Sequence, residues 1–378
     1  MVPKTHFQVI LLLLFSFHIT HISSKCSSRS SVIDMDYDNW ISWNVKNYEK
    51  KTILETKRNV AALGGEGKTA DLRLQKAENN KMTVTVKQDG SGDFKTVREA
   101  INSISPHNSR RVRVFIGPGV YREKVVIPRN LPFITLLGDA NNAPTITGND
   151  TASVSGRTFQ SATVAVDANY FIAINIKFEN TAPHEIGSLR GQGVALRISG
   201  TKAAFYNCSF VGTQDTLYDH KGLHYFNNCY IQGSVDFIFG SGRSFYENCY
   251  LNSTAKKVAS ITAQKRTNSS LESGFSFKNS VVTGSGQAYL GRAWGDYSTV
   301  VFSYTYMDKI VIPQGWSDWG DQKRDVRVYY GEYKCSGPGA NLTGRVAWAR
   351  MLTDQEAMPF IGTHYIEGDT WLSTSLPQ

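Results

Sequence analysis

Three polar positions near the middle of the chain stand out by residue type and by interval. Gln192, then Gln214 with Asp215, then Asp236 follow one another at nearly equal steps. Both acids sit among apolar residues, in Gln214-Asp-Thr-Leu-Tyr218 and Val235-Asp-Phe-Ile-Phe-Gly240. Asp is a common turn residue, but a carboxylate in such company is costly and more often marks a site. If the interval is a structural period, the two acids face the same way on neighbouring strands, ~5 Å apart. Two carboxyls at that separation do not both ionise cheaply, so one keeps a proton and the other becomes a carboxylate. Geometry alone then divides the pair into an acid and a base. Arg292 falls two such steps beyond Asp236, with room for one insertion. Its long side chain could reach back and hold one carboxylate ionised. Trp294, close behind it, adds a platform of the kind that stacks on sugar rings.

The interval recurs elsewhere, which makes it a property of the backbone. An aromatic-x-Asn triplet occurs at Phe178/Asn180, Phe205/Asn207, Phe226/Asn228, Tyr246/Asn248 and Phe277/Asn279, and Cys208, Cys229 and Cys249 follow three of the Asn. A repeat of about 20 residues is too short for a propeller blade, and the chain lacks the leucines of a leucine-rich repeat. Short β-rich runs at 83–86, 112–116, 124–127, 134–137, 162–166, 171–176 and 194–198 are separated by Gly, Asn and Pro. Helical pattern is confined to 96–101 and to a stretch from Thr353, where Glu356 completes a capping box. These features predict an all-β chain: a parallel β-helix with short peripheral helices, each coil adding one rung ~4.8 Å from the last. Aromatic, Asn and Cys residues should then stack in columns. The Cys column reads as buried packing, and Asn207 belongs to the ladder, which disfavours its sequon.

From about residue 82 onward the chain resembles plant pectin methylesterases. The likeness rests on Gly119-Val-Tyr-Arg-Glu123, Gln192-Gly-Val-Ala-Leu196, Gln214-Asp-Thr-Leu217, Asp236-Phe-Ile-Phe-Gly240 and Leu290-Gly-Arg-Ala-Trp294, five segments in one order. It implies a right-handed parallel β-helix that removes methyl esters from galacturonosyl residues of pectin. It further implies Asp236 as nucleophile, Asp215 as acid/base, Gln192 and Gln214 as oxyanion stabilisers and Arg292 as the residue that orients Asp236. Thr163 and Trp294, with Gln192 and Arg292, are implied to contact substrate. No metal or organic cofactor is expected. Methyl-esterified homogalacturonan is the expected partner, along with a proteinaceous pectinesterase inhibitor. Gly193 replaces an Ala and Ala293 a Pro of the usual pattern, and both changes are expected to loosen the backbone.

The rest of the sequence bounds this reading. The 378 residues, 41% hydrophobic and 19% charged, exclude a disordered or fibrous chain. Residues 1–24 carry a short apolar run, Phe7 to Phe17, preceded by Lys4, with the shape of a secretory signal. Residues 25–81 read as an extension, partly helical at best and too short for a large inhibitor-like pro-region, with the catalytic β-helix spanning 82–378. Ala62-Leu-Gly-Gly-Glu-Gly67-Lys-Thr69 imitates a phosphate-binding loop but lacks its strand and reads as a linker. The expected product is a secreted cell-wall monomer, free of the membrane once the signal is removed. Five cysteines leave at least one unpaired or paired between chains, and sequons stand at Asn149, Asn207, Asn252, Asn268 and Asn341. A net charge of +9 suits a polyanion, and no nucleic-acid module accompanies it. His220 and His224 read as solvent-facing loop residues, and no Gly-x-Ser-x-Gly elbow suggests a serine esterase. The same features would also suit a non-catalytic pectin-binding paralogue or a galacturonan hydrolase, whose carboxyl pair can be equally close.

Overall fold

A computed structural model describes residues 71–183 and 191–372. The signal-like run, Cys26 and the loop at 62–69 lie outside the described residues. The chain winds into a parallel β-helix with three sheets along its length. Eleven strands form the first sheet, beginning at Met82–Val86 and Val112–Ile116 and ending at Tyr329–Tyr333 and Arg350–Met351. The second runs from Val120–Arg122 through Lys177–Asn180 and Ser209–Val211 to Tyr230–Gly233. The third runs from Val125–Ile127 through Val164–Val166, Leu196–Ile198 and Leu217–Asp219 to Val235–Gly240. Two long strands, Tyr250–Gln264 and Val281–Arg292, pass from the second sheet into the third without a break. The coil is right-handed, as parallel crossovers are.

The period seen in the sequence is the coil length. On the first sheet Phe205 pairs with Phe226, Phe226 with Tyr246, Tyr246 with Phe277 and Phe277 with Phe302. Their rings stack inside the solenoid at centroid separations of 4.7, 4.5, 4.5 and 4.5 Å. All five are fully buried. Each such contact adds about 0.5–1.5 kcal/mol to the burial of the rings themselves.

Phe178 and Asn180 do not join that column. They lie on the second sheet, where Phe178 pairs with Phe210 and stacks on it at 5.5 Å. The residue equivalent to Asn207 is Asn175, and the Asn207 amide donates to Asn175 Oδ1 at 2.7 Å. Asn175, Asn207, Asn228, Asn248 and Asn279 all adopt φ between 51° and 58° at the corner from first to second sheet. Asn tolerates this left-handed conformation better than other residues with a Cβ, because its short amide can bond locally. Tyr304 and Lys334 continue the corner with the same sign of φ.

The side chain that follows each corner points inward, which explains the cysteines. Cys208, Cys229 and Cys249 are 1% exposed, and Ser280, Thr305 and Cys335 extend the same column. The four described cysteines are free thiols. Their sulfurs face backbone carbonyls of their own or the preceding coil, as Cys229 Sγ faces Phe205 O at 3.6 Å. Burial pushes the Cys208 and Cys229 thiols well above their usual range.

Helices close the N-terminal end. Val97–Asn102 has a capping box of Thr96 and Glu99, and Val97, Ala100 and Ile101 cover the first coil. The Glu123 carboxylate accepts from the N–H groups of Val97 and Arg98 at 2.9 Å each, where the helix dipole favours an anion. A further helix, Leu72–Asn79, is fixed by Arg111 Nε donating to Glu78 at 2.7 Å. The box at Thr353 and Glu356 opens the helix Asp354–Ala357.

Replacing the central ring, Phe226→Ala, removes two stacking contacts at once. Chemical denaturation should show a loss of ~3–5 kcal/mol, whereas a surface change such as Lys257→Ala should fall within about 0.5 kcal/mol.

Candidate active site

Coil register brings the two acids together. Leu217 pairs with Ile238, so Asp215 and Asp236, each the same short step earlier, occupy neighbouring rungs. The Asp215 N–H donates to Val235 O at 3.1 Å, and the Gly193 N–H to Gln214 O at 3.1 Å. In a parallel ladder those bonds place Asp215 beside Asp236 and Gln192 beside Gln214. The extra residue between Gln192 and Gln214 is absorbed before Leu196, where the N–H groups of Ala195 and Leu196 both reach Thr216 O.

Both aspartates stand at the corner from second to third sheet, with φ of 63° and 52°. A residue with a Cβ held there costs of order 1–3 kcal/mol, least for Asp and Asn. The kink turns the carboxyls outward, while Thr216 and Phe237 behind them are 0% exposed. The acids themselves are 8% and 6% exposed.

Arg292 breaks the symmetry of the pair. Its Nε donates to Asp236 Oδ1 at 2.7 Å and its Nη2 to Oδ2 at 2.5 Å, a bidentate grip. The guanidinium carbon lies 3.7 Å from the ring centroid of Trp319. Burial raises both carboxyl pKa values. For Asp236 the rise is opposed by the hydrogen bond and charge of Arg292 and by the Ser260 hydroxyl. For Asp215 it is reinforced by the charge of Asp236 and only weakly opposed by Arg292, so this carboxyl stands well above the usual range. Asp236 therefore ionises first, and Asp215 keeps its proton.

Beside the acids runs an aromatic strip on the outer face of the third sheet. Tyr218 and Phe239, one coil apart, stack at 4.2 Å, with Phe159 at 6.1 Å from Tyr218 and Trp294 at 6.1 Å from Phe239. Arg197 underlies the strip, its guanidinium carbon 3.7 Å from the Phe159 ring centroid. Gln192 and Gln214 are half-buried, and their amide groups make no hydrogen bond among the described residues. They are free to donate to a ligand.

Not every sequence expectation is met. Thr163 is 3% exposed and donates its hydroxyl inward to Glu179 O at 2.9 Å. It holds the coil two turns before Asp215 and offers no free hydroxyl to the aromatic strip. His224 is not a solvent-facing loop residue. It lies on the strand Leu223–Asn227, fully buried, with Nδ1 at 2.5 Å from Asp219 and Nε2 at 2.8 Å from Gly200 O. His220 is half-buried with Nδ1 at 2.9 Å from Ser199. Burial, followed by Lys221 and Arg197, lowers its pKa to about 4, so it is neutral near pH 7.

Both departures from the usual motifs sit in close native contacts. The Ala293 N–H donates to Ser317 O at 2.9 Å, a ladder bond that proline could not make. A Cβ on Gly193 would come within 2.8 Å of Asn180 Oδ1. That amide is fixed by donating to Asp150 O and Val194 O.

Sequence reasoning missed Tyr218, Phe239, Phe159, Trp319, Ser260 and Lys265. Tyr218 and Phe239 are separated by the same interval as Asp215 and Asp236, and that interval could have found them. Phe159 and Trp319 come from irregular segments with no period to betray them. Among the described residues, no three His, Cys, Asp or Glu side chains gather as metal ligands.

The protonated Asp215 carries a stability signature. Its pKa is raised by folding, so its contribution is fully present below the unfolded value and is lost as pH rises through the folded one. Asp215→Asn keeps the corner conformation and cannot ionise. Calorimetry should show a higher Tm than wild type at pH 7, by about 2–4 °C per kcal/mol relieved, with the gap closing towards pH 4.

The chain is similar to known proteins over most of its length. The pectinesterase family model matches residues 83–369. Pectinesterase QRT1 of Arabidopsis thaliana is 40% identical over 371 residues, 96% of this chain and 97% of its own length. The structure of a pectin methylesterase from carrot superposes with a TM-score of 0.72 at 35% identity, covering 76% of this chain and 94% of that one. A pectin methylesterase in complex with a hexasaccharide gives 0.65 at 28% identity, covering 79% and 99%. The match spans the whole β-helix and both acid-bearing coils, and the chain belongs to the pectinesterase family.

Proposed function

We propose that this chain hydrolyses the methyl esters of pectin with Asp236 as nucleophile and Asp215 as general acid and base. The observation that carries the assignment is the bidentate Arg292–Asp236 pair on the rung beside a second buried carboxyl, Asp215. An Asp236 oxygen attacks the C6 carbonyl carbon of a methylated galacturonate. The carbonyl oxygen gains negative charge, and the amides of Gln192 and Gln214 donate to it. The tetrahedral intermediate collapses, the bond to the methoxy oxygen breaks, and methanol leaves with the proton of Asp215. An acyl-enzyme anhydride remains. Asp215, now a carboxylate, takes a proton from water as that water attacks the same carbon. The anhydride opens, freeing the galacturonate carboxyl and restoring Asp236. Splitting one displacement into two easier ones is what covalent catalysis achieves. Arg292 holds Asp236 ionised and aimed, and Trp294 with the aromatic strip carries the sugar rings.

The apolar run at Phe7 to Phe17, the four sequons outside the Asn ladder and the charge of +9 support secretion to the cell wall and attraction to a polyanionic matrix. No helix among the described residues is long and apolar enough to cross a membrane.

Methylated pectin incubated with the protein should yield methanol and no new reducing ends; reducing ends without methanol would instead identify a glycoside hydrolase. Asp236→Asn should lower kcat by ~10⁴-fold or more, and Gln214→Ala by ~10²–10³-fold. The pH profile should be bell-shaped. Its acid limb tracks ionisation of Asp236, whose pKa is raised, so activity should already fall above pH ~4, the unperturbed Asp value. The alkaline limb tracks loss of the Asp215 proton. A rate that stays level down to pH 4 would sink the shared-pair assignment.

A further inference from the structure

Lys265 lies at the edge of the catalytic face and has no part in the reaction above. It follows directly on the strand Tyr250–Gln264. Gly240 pairs with Gln264, and Thr262 with Gly291, so continuing the ladder sets Lys265 beside Trp294. Its backbone is fixed on the preceding coil, with the N–H donating to Gly240 O at 2.7 Å and the carbonyl accepting from Ser241 Oγ at 3.2 Å. The ammonium lies 4.0 Å from the Trp294 ring centroid.

Three nearby arginines are committed. Arg292 grips Asp236, and Arg197 is held by Asp167 at 2.6 Å. Arg266 is buried and donates to the carbonyls of Leu271 and Ser269 and to the Thr299 hydroxyl. Lys265 has no carboxylate partner among the described residues. Its charge is met on one side by an aromatic face, which leaves ammonium donors available.

We propose that Lys265 recognises a free carboxylate on the polysaccharide, an unesterified galacturonate near the residue whose ester is cleaved. The inference rests on the assignment of Asp215 and Asp236 as the catalytic pair. Trp294 follows Arg292 by ~7 Å along the strand direction, within reach of a neighbouring sugar. A carboxylate there forms a charge-assisted hydrogen bond with the ammonium. A methyl ester offers only a neutral carbonyl oxygen and adds a methyl group. Lys265 thus separates the two states of a neighbouring residue by the difference between an ionic and a neutral acceptor.

Two readouts test the proposal. The first is kcat/KM for methanol release from galacturonan oligomers of equal length, either fully methylated or half de-esterified. The second is binding of fully de-esterified polygalacturonate, followed by tryptophan fluorescence at low and moderate salt. Wild type should favour the half de-esterified oligomers. Lys265→Met keeps the apolar stem and should reduce that preference, and polygalacturonate affinity, by about tenfold, with a shallower salt dependence. Lys265→Arg should retain both. An unchanged preference in Lys265→Met, or equal loss on both oligomers with polygalacturonate binding intact, would show that the ammonium merely covers Trp294. If wild type releases no methanol from either oligomer, the catalytic assignment fails, and the polygalacturonate comparison still decides whether Lys265 binds a carboxylate.

Discussion

One guanidinium separates two otherwise equivalent carboxyls. Asp215 and Asp236 share rung position, corner conformation and near-complete burial. An isolated pair of this kind would share a single proton without preference. Arg292 reaches back from two coils away and takes both oxygens of Asp236, leaving Asp215 the proton. The Trp319 ring over the guanidinium helps fix its plane. The division of labour is therefore a long-range property, set by the number of coils between Asp236 and Arg292.

A solenoid can keep such a relation fixed because each coil is held to the next by a full ladder and a shared column of rings. Phe205, Phe226, Tyr246, Phe277 and Phe302 form one continuous stack through the coils that carry Asp215, Asp236 and Arg292. The strained corners at the two acids are supported by this packing. The polar group Asp219–His224–Tyr246, with Tyr246 donating to Asp219 at 2.6 Å, ties the third sheet to the first at the opposite corner. Strain at the acids is thus offset by well-satisfied contacts elsewhere in the same coils.

Sequence exposed those parts of the design that repeat. The acids, the first rings of the aromatic column and three of the cysteines recur at the coil interval, so their stacking followed from it. Phe178 and Asn180 misled because the aromatic-x-Asn triplet does not state which sheet it lies on. Cys335 was hidden from its own column because Ser280 and Thr305 intervene. Thr163 and His224 could not be placed by pattern, since inward hydroxyls and buried imidazoles depend on partners elsewhere in the chain: Glu179 for one, Asp219 and Gly200 for the other. Phe159 and Trp319 belong to single, non-recurring segments, where a one-dimensional rule has nothing to count. The bond from the Ala293 N–H to Ser317 O could not be read from the motif, because its acceptor lies on a later coil.

The column of unpaired sulfurs has a bearing on how the molecule comes apart. Cys208, Cys229 and Cys249 occupy three consecutive turns, each sealed from water while its own turn is closed, and Cys335, on a later turn, is only half-buried. Ser280 and Thr305 occupy the same column, so sulfur is not required for packing there. In a nearest-neighbour array, opening spreads from an end or a weak junction, one turn at a time. An alkylating reagent admitted during such breathing would mark the three sealed thiols in the order their turns open, so the protein carries its own chronometer of unzipping.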